Sequence, residues 1–219
     1  MAAITTKGTL ETALGNWLHR STLSSYYEDW EGMAEEVFMG PVRDPEDAQL
    51  SGLRTQITRT TGTLSTSNAY ISRPSDFLAA QTFRLTGDPL VFVEYVSNEF
   101  LNGVRRIDSG MPRYYTVTDV IEFDCVPDSA YAYEMAYFPG VGTSMVGAAT
   151  GTTNAILTNH ANCYLALCLH FAYDFVDDAQ NSQKWLNRYK LYAENANSYY
   201  RESRMTQGAL QSRADVSTY

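Results

Sequence analysis

Residues Ala155 to Val176 read AILTNHANCYLALCLHFAYDFV, and as a helix they are apolar on almost every side. A helix of that kind has to be buried nearly all round. At 1.5 Å per residue it spans about 33 Å. Hydrophobic residues make up 44% of the 219, enough for a real core and enough to exclude wholesale disorder. The longest apolar run, Ala161 to Val176, is interrupted by Asn162, His170 and Asp174. It falls short of the roughly 20 apolar residues a membrane span needs. The first residues, MAAITTKGTLETALGNWLHR, lack a basic cluster followed by an apolar block, so no secretory signal is expected and the chain reads as soluble and intracellular when made.

Other helices surround this one in sequence. Leu10, Ala13, Leu14, Trp17 and Leu18 repeat at helical spacing, with Thr9 as the expected N-cap. A second helix is predicted over Ser24 to Phe38 and stops at Gly40-Pro41. Asn154 is the expected cap of the apolar helix, and Asp177-Asp178 ends it. A last helix is predicted from Ala179 to Met205, with Trp185, Tyr189, Tyr192, Ala196 and Tyr199 as its stripe. Between the two helical ends, short strands are predicted at Gln81 to Leu85, Leu90 to Tyr95, Tyr114 to Val117, Val120 to Phe123 and Tyr131 to Phe138. Ser97 caps a short helix between them. Residues 41–69, rich in Thr, Ser, Gly, Asp and Pro, read mostly as extended loop, with weak alternation over Leu53 to Thr60.

The expected fold is α+β. N- and C-terminal helices form one bundle, including a long C-terminal antiparallel helical hairpin, and an antiparallel β region is inserted. The expected parts are N-terminal helices 1–40, a loop and β insert 41–139, a Gly-rich linker 140–153, the helical hairpin 154–205, and a flexible arm 206–219.

Charge excludes one class of function. The net charge is −9, so the chain should not hold nucleic acid by neutralising phosphates. From Tyr114 to Gln183 there are eight acids and no Lys or Arg, which leaves only −1 for the rest. Catalytic and metal motifs are missing. The Gly-rich run Gly140 to Gly151 has no Lys for a phosphate loop, and Ser144 lies one residue out of register for a nucleophile elbow. His160 and Cys163 are three apart on one helix, a spacing that can share a metal, but the bland reading is packing. Three cysteines without a CxxC pair fit neither a disulfide framework nor a zinc ribbon. No cofactor, metal or catalytic residue is expected. The 16 tyrosines lean toward assembly, since Tyr offers a large contact area with one polar end.

Four motifs, in order, carry a resemblance over about Ile71 to Gln207. They are Arg73-Pro74-Ser75-Asp76-Phe77; Gly110-Met111-Pro112 followed by Tyr114-Tyr115; and Ile121-Glu122-Phe123 with Pro127-Asp128 and Tyr131 to Phe138. The last is Thr153-Asn154 opening a long helix, followed by Asp177-Asp178 and Trp185-Leu186-Asn187-Arg188-Tyr189. The set resembles the head-to-tail adaptor (connector) proteins of tailed phages. The resemblance implies a virion structural protein of the neck, not an enzyme. It implies a homo-oligomeric ring, usually of about twelve copies, with a heterologous subunit interface. The implied partners are other copies, the portal protein and a tail or nozzle protein, with DNA passing through unbound and no membrane involved.

Under that resemblance Asp119, Glu122, Asp124, Asp128 and Glu134 are candidate acids of the channel or its rim, where negative walls let DNA slide. A solvated outer face is the alternative for them. Tyr131, Tyr133, Tyr137, Tyr192 and Tyr199 are candidate subunit contacts. Gln207, Leu210, Arg213, Val216 and Tyr219 lie on a candidate portal-docking arm. Competing readings are another phage neck or baseplate structural protein, a hydrolase using the acid clusters, and a host-surface binding module.

Overall fold

The computed structural model describes residues 3–43, 50–54 and 57–206, without the side chains of residue 21 and residues 199–206. The chain divides into two compact units. One contains residues 1–55 and 141–219, and the other contains residues 56–140.

The first unit is helical. Helix α1 spans Lys7–Leu18 and starts one turn earlier than the periodicity suggests. Thr6 is its N-cap, and Thr6 and Thr9 cap each other reciprocally. The first free N–H groups of α1 donate to the carbonyls of Thr152 and Thr150, both at 2.8 Å. A 3₁₀ turn over Ser21–Tyr26 leads into α2, Tyr27–Met39. Helix α2 ends at Gly40, whose N–H returns to Glu36 and Val37. Helix α4 spans Ala155–Phe175 and α5 spans Ala179–Thr206. Asn154 caps α4 through Leu157 N–H, and Asp178 accepts from Asn181 N–H at the start of α5.

Every residue from Cys163 to Leu169 is at most 6% exposed, so α4 is sheathed all round over two turns. The ring of Tyr164 packs edge-on against Phe38 at 4.7 Å, and that of Trp17 against Trp185 at 5.1 Å.

The second unit holds the strands β1 Thr58–Thr63, β2 Tyr70–Ser72, β3 Phe77–Leu85, β4 Val91–Tyr95, β5 Tyr114–Val117, β6 Val120–Phe123 and β7 Ala132–Pro139. A short helix, α3 at Asn98–Val104, is capped by Ser97. The strands form one curled sheet in the order β1-β7-β3-β4-β5-β6-β2. Its inner face carries Leu64, Phe83, Leu85, Tyr115, Phe123 and Met135 among its core. Phe83 is the hub, with ring contacts to Tyr133 at 5.0 Å, Phe123 at 5.3 Å and Tyr115 at 5.5 Å.

The expected fold class is overturned. The architecture is five helices with a seven-stranded mixed half-barrel sheet, not a helical hairpin bundle with an antiparallel insert. Strands β4 and β5 run parallel. Helix α3 lies in the connection between them, and a crossover of that length lets β5 re-enter in the direction of β4. Hairpin signals are local and do not report this. Two strands, β1 and β2, lie where mostly loop was expected or just beyond it. Strand β1 reads TRTTGT and has no bulky residue to reveal it. Helix α4 is not the continuous arm of a hairpin, because His160 is non-helical at φ −136°, ψ 43°. Just before it, Thr158 Oγ1 donates to Asn154 O and Asn159 Nδ2 to Ala155 O. These side chains compete for carbonyls the helix would use.

Gly62 makes β1 possible. A Cβ there would lie 2.7 Å from Tyr133 Oη and 2.8 Å from its Cζ, and that ring is stacked on Phe83. Gly62→Ala is expected to cost about 1 kcal/mol by displacing a packed ring. Thermal denaturation checks this, and a melting curve unchanged from wild type would show that the ring yields freely.

Candidate assembly surfaces

Five acids were expected to face a channel, and three of them are neutralised. Asp124 is 1% exposed. Its Oδ2 accepts from Arg106 Nε at 3.0 Å and Nη2 at 2.8 Å, and its Oδ1 accepts from the N–H groups of Arg113 and Tyr114. Burial would lower the Arg106 guanidinium, but Asp124 outweighs it and holds the value above normal. Arg106 also donates to Met111 O, so this pair pins the 105–113 loop. Glu122 pairs with Arg105 at 2.7 Å. Glu134 pairs with Arg84 at 2.7 Å and Arg59 at 3.5 Å. The base-free stretch thus takes its counter-ions from segments before it. Asp119 and Asp128 are exposed, and among the described residues neither has a cation partner. Asp128 accepts from Tyr131 Oη at 2.6 Å, which raises that phenol.

The tyrosines of β7 share one face as the alternation requires, and that face is the core side. Tyr137 is 4% exposed and donates to Asp76 Oδ1 at 2.8 Å. Burial and then that bond push it up to about 12. Tyr133 is half-buried against Phe83, and Tyr131 is half-buried at the strand's start. Tyr192 is half-buried, while the Tyr199 side chain and all of Gln207, Leu210, Arg213, Val216 and Tyr219 lie outside the described residues.

Other aromatics are exposed instead, among them Phe92 at 64%, Tyr95 at 59% and Phe100 at 49%. Strand β4 reads VFVEY. Val91 and Val93 point inward, so Phe92 is an apolar residue on the polar face, and that misfit was visible in the sequence.

Ser144 has a carboxylate partner. Its hydroxyl donates to Glu35 at 2.6 Å, and Glu35 also accepts from Met145 N–H at 2.7 Å and Tyr164 Oη at 2.8 Å. Glu35 is therefore a buried anchor for the Gly-rich segment. His160 and Cys163 line one pocket of about 380 Å³ with Asn159, Asn162, Tyr192 and Asn195. Burial pushes the Cys163 thiol up to about 12, which opposes the thiolate a metal or a nucleophile needs. Among the described residues no three His, Cys, Asp or Glu side chains come together as a metal site.

Lys7 is 2% exposed and pairs with Glu28, with Glu11 at 3.8 Å and with Glu31 at 3.9 Å. Burial lowers its ammonium, and those carboxylates together raise it further, so it stays charged.

The outer face of the sheet has one further feature. Arg59, Arg84, Glu134 and Phe92 line a groove of about 400 Å³, with Gln81 and Thr82 between them.

Among the described residues no helix is long and apolar enough to cross a membrane. A family model described as SU10 adaptor protein matches residues 5–214. No curated protein matches the chain.

Proposed function

Because the chain belongs to the SU10 adaptor family of phage structural proteins, we propose that it forms an oligomeric ring below the portal, where it extends the DNA channel and docks the tail. The coarser part of this follows from membership itself: the protein is a structural adaptor of the virion neck that works by contact with other head or tail proteins. The observation that carries the finer part is the match over residues 5–214, which takes in both compact units. Exposed Phe92, Tyr95 and Phe100 on an acidic protein supply apolar area for contacts between copies. A ring needs two different patches on each copy. Residues 206–219 are the arm we assign to the portal. Asp128, exposed and without a cation, is the acid we assign to the channel or its rim, where it repels phosphate.

Assembly state tests this reading. Purified protein added to isolated portal rings should bind as a closed ring, seen by symmetry-resolved imaging. A chain that stays monomeric and also leaves the portal bare overturns it.

A further inference from the structure

The groove on the outer face of the sheet has an unbalanced charge. Arg59 on β1, Glu134 on β7, Arg84 on β3 and Phe92 on β4 lie across four neighbouring strands. Register sets Arg84 opposite both Glu134 and Phe92. Both guanidiniums lean on a single oxygen, Glu134 Oε1, at 2.7 and 3.5 Å. Arg84 Nε is buried and has no hydrogen-bond partner. The Arg59 side chain is 68% exposed. One carboxylate between two guanidiniums leaves the groove net positive, in a chain whose net charge is −9.

The other half of the same sheet has the complementary feature. The turn between β5 and β6 carries Thr118 and Asp119. Asp119 is exposed, accepts only from the neighbouring Thr118 hydroxyl at 3.0 Å, and has no cation partner among the described residues.

We propose that the groove of one copy receives the Thr118-Asp119 turn of the next copy. The Asp119 carboxylate pairs with the exposed Arg59 guanidinium, and the Phe92 ring, 64% exposed, packs against the body of the turn. An exposed guanidinium that shares its one carboxylate oxygen and an unpaired exposed acid are each relieved by one contact. A second copy fits better than DNA, because a single uncompensated positive charge gives phosphates little to hold. The two patches differ and lie on separate halves of one sheet, so the contact is heterologous and propagates head to tail, as a ring requires. This inference rests on the ring reading above.

Arg59→Glu and Asp119→Lys, both at exposed positions, test it through ring formation on isolated portals. Each alone should reduce ring occupancy about tenfold or more, because the contact becomes like-charged. The double variant carrying both Arg59→Glu and Asp119→Lys should restore rings, since every contact is then the swapped pair. Phe92→Ala, which leaves the Arg84–Glu134 pair in place, should also weaken assembly. Wild-type rings together with normal rings from both single variants would overturn the contact and leave the ring reading standing. Loss with Arg59→Glu but not Asp119→Lys, or no rescue in the double variant, would likewise overturn it, the groove then serving another occupant. Absence of rings from the wild type would remove both readings.

Discussion

Gly52→Ala is expected to destabilise the chain by about 3 kcal/mol or more, the largest effect of any single methyl considered. A Cβ at Gly52 would fall 2.0 Å from Gly40 O and 3.1 Å from Phe38 O. Both obstacles are backbone, so no side chain can swing aside. The segment 50–54 folds back over the C-terminus of α2 and takes the place of a helix cap there. Leu53 N–H donates to Phe38 O at 3.0 Å, Gly52 N–H to Pro41 O at 2.8 Å, and Arg54 Nη2 to Gly40 O at 3.0 Å. Buried Asn197 of α5 ties the same segment from the other side, donating to Gly52 O and accepting from Arg54 N–H. Tyr189 Oη donates to Ser51 O. Pushing residue 52 away breaks several of these bonds together. In a chain of this size the loss should lower the melting temperature by about 6–12 °C. A Gly52→Ala protein that melts within about 2 °C of wild type would show that the return segment moves without cost.

Glu31→Gln is expected to stabilise the protein at alkaline pH, by about 4 kcal/mol at pH 8. Glu31 on α2 is fully buried, and neither carboxylate oxygen has a hydrogen-bond partner among the described residues. Burial pushes its carboxyl up to about 8. Lys7 pulls the other way, and Glu11, Glu28 and Glu35 add to the rise. The usual value is 4.5. Below it the group is protonated in both folded and unfolded chains, and Glu31 costs nothing extra. Above it the unfolded chain releases the proton while the folded chain keeps it, so stability falls with each pH unit until about 8 and then levels. Gln cannot ionise and removes that slope. Urea denaturation from pH 4 to pH 9 should therefore show the two proteins converging in acid and diverging in base. Parallel curves across the range would mean that Glu31 is already ionised in the folded state.

Much of the local structure was legible because its signals are local. The caps at Ser97 and Asn154 are short polar side chains before apolar runs, and both accept from the expected N–H groups. The alternation of β7 correctly grouped Tyr131, Tyr133, Met135 and Tyr137 on one face. It could not say whether that face meets solvent or core, because both satisfy a period of two. Phe92 was the better surface clue, an aromatic on the wrong side of an alternating strand. Lys7 opens α1 and is buried among carboxylates from α1 and α2. No pattern within α1 could have reported that.

The apolar segment from Ala155 carried its own instruction. A helix with no polar face has only one stable place, and α4 is buried from Cys163 to Leu169 on every side. Composition likewise determined that the chain is acidic and that residues 114–183 lack Lys and Arg. Tertiary structure decided the rest. It set β4 and β5 parallel, broke α4 at His160 and turned the β7 tyrosines inward. It also brought Arg59, Arg84, Arg105 and Arg106 to three of the acids in the base-free stretch. The physical reason is range. Periodicity and capping act within one or two turns of chain, whereas charge pairing and sheet direction depend on segments up to 75 residues apart that meet only when folded, such as Arg59 and Glu134.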